Sequence, residues 1–60
     1  MSDVFWIVQR GYLSADGIRW TDVTEPYGSE SYAYDRLDEL KEQEPGRYRV
    51  VRLRAQREDP

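Results

Sequence analysis

The stretch SESYAYDRLDELKEQEPGRYRVVRLR, residues 29–54, changes sign in its middle: carboxylates crowd its first part, arginines its last, and Pro45-Gly46 divides them. The first part reads as an amphipathic helix. Ala33, Leu37 and Leu40 recur at i, i+4 and i+7 as one narrow apolar stripe, flanked by Tyr34. Ser29 is a suitable N-cap, with Glu30 beside it favoured by the helix dipole; Ser31 is the alternative cap, two residues on. The helix should stop at Glu44, because Pro45 disfavours the α conformation in its predecessor and Gly46 follows. Arg47 to Arg54 then reads as a strand, Tyr48 and Val50 facing one way and Val51 and Leu53 the other.

Working back from this helix and strand, Val4-Phe5-Trp6-Ile7-Val8 is a continuous apolar run, the mark of a central strand or one buried on both faces. Phe5 and Ile7 point one way, Val4, Trp6 and Val8 the other. Ser14-Ala15-Asp16-Gly17 supplies turn chemistry, and Ile18 to Thr24 resumes with β-formers, Ile18 and Trp20 sharing a face. Residues 3–10 and 18–24 are therefore expected to pair as an antiparallel hairpin, with Tyr12 in its loop. Glu25-Pro26-Tyr27-Gly28 breaks the second strand.

The order is ββαβ. If strand one runs up and strand two down, the helix climbs back and strand three descends beside strand one. The expected fold is α+β: a three-stranded antiparallel sheet in spatial order 2-1-3, its most apolar strand central, with one helix packed on one face. One helix leaves the second face to be shielded by loops, a second copy or a partner. Which face it covers does not follow from the alternation. Residues 1–60 make one small domain, with 55–60 a polar, frayed tail.

Composition removes several classes of chemistry. The chain has no cysteine, hence no disulfide or thiolate site, and no histidine, the commonest general base and metal ligand. No Ser-His-Asp set can be assembled and no phosphate-cradling glycine loop is present, so the protein is expected not to be an enzyme and to hold no cofactor and no metal. The start, MSDVFWIVQR, has no basic leader, and no segment approaches the roughly 20 apolar residues of a membrane span; a cytoplasmic location is expected. The net charge of −3 hides a strong asymmetry. Residues 1–46 carry a balance of −6, and residues 47–57 carry five arginines and no acid.

Two charged features compete for a role. Asp35, Asp38, Glu39 and Glu42, at i, i+3, i+4 and i+7, project from one side of the helix as a ridge suited to a basic groove in a nucleic-acid-binding protein. The plainer account is a solvated helix face, its charges in part paired with Arg36 and Lys41. Arg47, Arg49, Arg52, Arg54 and Arg57 with Tyr48 have the composition of a single-strand-binding surface. Here the plainer account is an edge strand whose charges block sheet-to-sheet aggregation and pair with the acidic residues. With an acidic chain overall, free nucleic acid is not the expected main ligand. Tyr12, Tyr32 and Trp20 join the ridge as candidate partner contacts, since Tyr and Trp are enriched among energetic anchors. Trp6 is expected in the core.

Taken together, FWIVQ (5–9), WTDV (20–23), AYDRLDELKEQEP (33–45) and YRVV (48–51) resemble a recurring type of small protein from phages and mobile elements. Several anti-CRISPR proteins, inhibitors of CRISPR-Cas effectors, are of this kind. The resemblance covers residues 5–53. It implies a non-enzymatic inhibitor that binds a host protein or nucleoprotein complex stoichiometrically in the bacterial cytoplasm, often on a surface meant for DNA. These inhibitors share no common site motif, so the site residues named above come from this chain alone. The alternatives are a small nucleic-acid-binding protein using the arginine strand, or a homodimeric accessory protein; either a monomer or a homodimer is compatible with the sequence.

Overall fold

A computed structural model describes residues 4–54. Strand β1 (Val4–Ser14), strand β2 (Gly17–Asp22), helix α1 (Glu30–Gln43) and strand β3 (Arg47–Arg54) follow one another along the chain. The sheet order is β2-β1-β3 and both pairings are antiparallel, so the ββαβ fold read from the sequence is the fold of the protein. The tail at 55–60 lies outside the described residues.

The hairpin is longer on one side and tighter than the sequence reading. β1 does not end at residue 10 but continues to Ser14, paired with β2 from Gln9↔Asp22 to Ser14↔Gly17. Tyr12 therefore lies in a strand and not in a loop. The turn itself is Ala15-Asp16. Among the described residues no residue other than glycine has positive φ, while Gly17 has φ 121°. That sign pattern belongs to a type I turn followed by a glycine bulge, where an L side chain would be strained. The Ser14 hydroxyl donates to the Gly17 carbonyl at 3.0 Å and closes the turn.

β2 stops at Asp22, two residues earlier than the β-propensity of Val23 and Thr24 suggests. The chain nevertheless keeps beside β1. The Val23 N–H donates to the Val8 carbonyl, the Val8 N–H donates to the Thr24 hydroxyl, and Tyr27 exchanges two backbone bonds with Trp6 at 2.9 and 2.8 Å. Between Gln9↔Asp22 and Trp6↔Tyr27 this edge uses two more residues than β1 does, a bulged excursion that takes in Pro26, which has no N–H to give.

α1 begins at the expected cap. Ser29 is extended (φ −131°, ψ 128°) and its hydroxyl accepts from the Tyr32 N–H, at a long 3.4 Å. Glu44 is extended at the other end (φ −145°, ψ 106°), as a residue before proline should be, and its N–H still closes on the Leu40 carbonyl. Ala33 and Leu37 are buried, Leu40 half-buried.

The side of the sheet that α1 covers follows from pairing. Residues directly opposite in an antiparallel ladder share a face. Trp6, Val8 and Arg10 thus share one face with Arg52, Val50 and Tyr48, whereas Phe5, Ile7, Gln9 and Gly11 share the other with Leu53, Val51, Arg49 and Arg47. Arg10 and Tyr48 both bond to Glu44 at the helix C-terminus, which places α1 over the Trp6–Val8–Arg10 face. Val8 is fully buried beneath it. The opposite face keeps Leu13, Ile18 and Leu53 exposed. Gly11 lies on that open face. A Cβ there would sit 2.8 Å from Ile18 Cγ2 and 3.2 Å from the Trp20 ring, so glycine is what lets both side chains lie across β1.

With so few buried side chains, each weighs heavily. Leu37→Ala should lower the unfolding free energy by about 2–4 kcal/mol through lost transfer energy and a residual cavity. Asp38→Ala, on the wet side of the same helix, should stay within about 0.5 kcal/mol. Urea titrations followed by circular dichroism measure both, and equal costs would show that the stripe is not the packing face.

Candidate functional site: an acidic ridge and an arginine-lined open face

At 3.6 residues per turn, Asp35, Asp38, Glu39 and Glu42 fall diametrically opposite the Ala33–Leu37–Leu40 stripe. All four are exposed. Among the described residues the ion pairs are Arg10–Glu44 and Arg36–Glu39, each at 2.8 Å. Glu39 is thus tied to Arg36 one turn back, which holds that guanidinium even further above its ordinary pKa, with the Tyr27 hydroxyl adding to the effect. Asp35, Asp38 and Glu42 have no cationic partner within the described residues. The plainer account of the ridge, charges neutralised locally, holds for Glu39 and not for the other three. Asp35, Asp38 and Glu39 do not converge as a metal site.

The candidate anchors do not form one surface with the ridge. Tyr32 lies on the flank of α1, its ring edge-on to Tyr27 with centroids 4.8 Å apart, and remains exposed. That pair, with Arg36 beside Tyr27, closes the N-terminal end of the helix against the bulged edge of the sheet. Tyr12 is on the helix-bearing face but near the hairpin tip, beneath the Arg10 guanidinium at 5.0 Å from its ring centroid. Trp20 is on the opposite side of the molecule, on the open face. Only Tyr32 is placed to contact what the ridge contacts. Trp6, read as core, is half-buried in the central strand, and its indole N–H has no acceptor among the described residues.

Arg10 is a structural residue that the sequence reading left unassigned. Its guanidinium bonds to Glu44, lies 5.5 Å from the Tyr48 ring centroid as well as near Tyr12, and sits under the Gly46 backbone. The Glu44 hydrogen bond holds its pKa above the ordinary value against the opposing effect of burial. A cation at the C-terminal end of α1 also meets the negative end of the helix dipole. The Tyr48 hydroxyl adds a bond to the Glu44 carbonyl at 2.8 Å, satisfying one of the acceptors a helix leaves open at its end.

The open face carries a second polar track. Gln9 Nε2 donates to Asp22 Oδ1 at 2.7 Å, Arg49 Nε donates to Gln9 Oε1 at 2.8 Å, and the Arg49 guanidinium stands 4.2 Å from the Trp20 ring centroid. Three strands contribute to this line, one residue deep. Sequence could have shown Gln9 as the polar residue closing an apolar run; that it meets Asp22 and Arg49 is a fact of register. Among the described residues no carboxylate pairs with Arg47, Arg49, Arg52 or Arg54, so the intramolecular pairing expected for the edge arginines is not formed there. Arg57 lies outside the described residues. No helix among the described residues is long and apolar enough to cross a membrane.

No protein-family model, curated protein or solved structure gives a significant match to this chain.

The Arg10 clamp makes an ordered set of outcomes. Arg10→Ala, which removes the ion pair together with the guanidinium's packing on two tyrosine rings, should lower the midpoint of thermal unfolding by several degrees. Glu44→Gln, which leaves that packing and a polar acceptor in place, should lower it less. Thermal melts at low and high salt test this, and equal losses would reduce the clamp to its ion pair alone.

Proposed function

We propose that this protein is a non-enzymatic, stoichiometric inhibitor of the phage or mobile-element type, anti-CRISPR in character, that lays the outer side of α1 in a cationic groove of a host nucleoprotein complex. The observation that carries this reading is the row of exposed carboxylates on α1, of which Asp35, Asp38 and Glu42 have no cationic partner among the described residues. A charge already held by its own chain offers little to a partner; an unpaired one offers its full field.

Spacing limits the likeness to phosphates. The three unpaired carboxylates, Asp35, Asp38 and Glu42, span seven helical steps of about 1.5 Å each, about one free charge per 5 Å of axis, with Glu39 shared with Arg36 between them. One strand of B-DNA places a phosphate about every 3.4 Å of axis, so the ridge is the sparser row. The ridge is only about 10 Å long, so it imitates a few phosphates and not a long tract. Its contribution falls mainly on encounter rate and register, and added salt weakens it. Tyr32, exposed beside the ridge and braced by Tyr27, supplies an aromatic anchor of the kind that dominates binding energy at interfaces.

The test begins with a pull-down from host lysate to identify the complex and continues with its purified form. Stoichiometric protein should block binding of target DNA by that complex. The quadruple reversal D35K/D38K/E39K/E42K should lose at least about tenfold in capture, the equivalent of roughly 1.4 kcal/mol, with circular dichroism unchanged. Undiminished capture by the folded quadruple variant would remove the ridge from the mechanism.

A further inference from the structure

The arginines of β3 and the open sheet face are left unused by a partner docked on α1. Arg49 is the most prepared of them. Its Nε is spent on Gln9, which is itself fixed by Asp22, and its plane is held over Trp20. The bonds among the described residues use neither terminal nitrogen, so the fork of the guanidinium is oriented and has no anion of its own chain. Arg47, two residues along the same strand, projects from the same face. Gly11 flattens the strand between them and Trp20.

We propose that Arg47 and Arg49 beside Trp20 form a binding site for a single-stranded nucleic-acid segment, the two guanidiniums on successive phosphates and the Arg49–Trp20 stack offering a flat surface to a base. Guanidinium forks match phosphate geometry, and stacked arginine planes and aromatic rings are the usual platforms for unpaired bases. A duplex hides its base faces within the stack, so a flat sheet site with a π surface favours a single strand. Neither guanidinium is ion-paired among the described residues, the Asp22 carboxylate on this face being held by Gln9, so the two repel one another and a bridging polyanion relieves that repulsion.

The acidity of the chain does not cancel this site. The ridge lies beyond the helix on the other side of the sheet, and the shortest Cα extent of the molecule is 12 Å, to which the outward side chains on both sides add. That exceeds the screening length of about 8 Å at physiological ionic strength. The two faces therefore present opposite signs to two different ligands, and this second site stands independently of the ridge.

Fluorescence anisotropy of a labelled oligothymidylate on the purified protein tests it. Binding is expected at about 50 mM salt, with an affinity that falls as salt rises. The R47A/R49A variant should bind at least about tenfold more weakly, and its salt slope should be shallower by about 1.4, two phosphate contacts at roughly 0.7 each. R49K, which keeps the charge and loses the planar fork, should retain the slope and still bind more weakly than the native chain. The charge-reversed ridge variant should bind the oligonucleotide at least as well as the native protein, so failure of the ridge and failure of this site are read separately. The proposal is overturned by an absence of binding at about 50 mM salt, by unchanged affinity in folded R47A/R49A, or by a polyglutamate of equal charge binding as tightly as the oligonucleotide. Full affinity in R49K would overturn the stacking role.

Discussion

β1 is hydrogen-bonded on both edges, and α1 packs against one of its two faces; the rest of the molecule depends on that single packing. Burial of Val8, Ala33 and Leu37 supplies the apolar free energy of this packing, at roughly 25 cal/mol for each Å² removed from water, with Ile7 buried on the opposite face of the sheet, while the ion pair at Arg10 adds direction more than strength. Because the chain leaves β1, turns at Ala15-Asp16 and returns, its third strand can reach β1 only after the helix has crossed the sheet. One helix covers one face. The choice of face then sorts every charged residue into a layer.

The sorting has electrostatic consequences. The acids of α1 point away from the sheet, the arginines of β3 are spread along its edge and across both faces, and among the described residues no ion pair joins the two sets; the corner pair is Arg10 of β1 with Glu44, the residue that caps α1. A small domain usually gains a little by pairing its surface charges, typically well under 1 kcal/mol for each exposed pair. Here most of the candidate pairs are held apart by the body of the molecule. The separation costs little stability in water.

Much of this was legible in the residues. The 3.6-residue recurrence of Ala33, Leu37 and Leu40, the stop before Pro45, and the apolar run of Val4 to Val8 each reflect a local preference that tertiary packing reinforced. Where the reading slipped, a non-local interaction had decided the matter. β1 runs on through Arg10, Gly11 and Tyr12 because β2 pairs with all three, although Gly11 weakens a strand interior and of the three only Tyr12 is a strand former. β2 stops short because the bulge before Pro26 hands the Val8 N–H to the Thr24 hydroxyl. The candidate site divided in the same way. The four-residue acid ridge needed only helical spacing, whereas Trp20 and Tyr12 could not be set on a side of the molecule without the register.

By itself, then, the sequence determined which segments become helix and strand, their order, and the composition of each charged run, since these follow from periodicity, turn chemistry and counting. Tertiary structure alone decided which face of the sheet the helix covers, and hence that Arg10 clamps Glu44 while Arg49 stacks on Trp20 in the open. The reason is that alternation along a strand assigns side chains to two faces without ranking them. Only packing against a third element makes one face the interior and the other a surface.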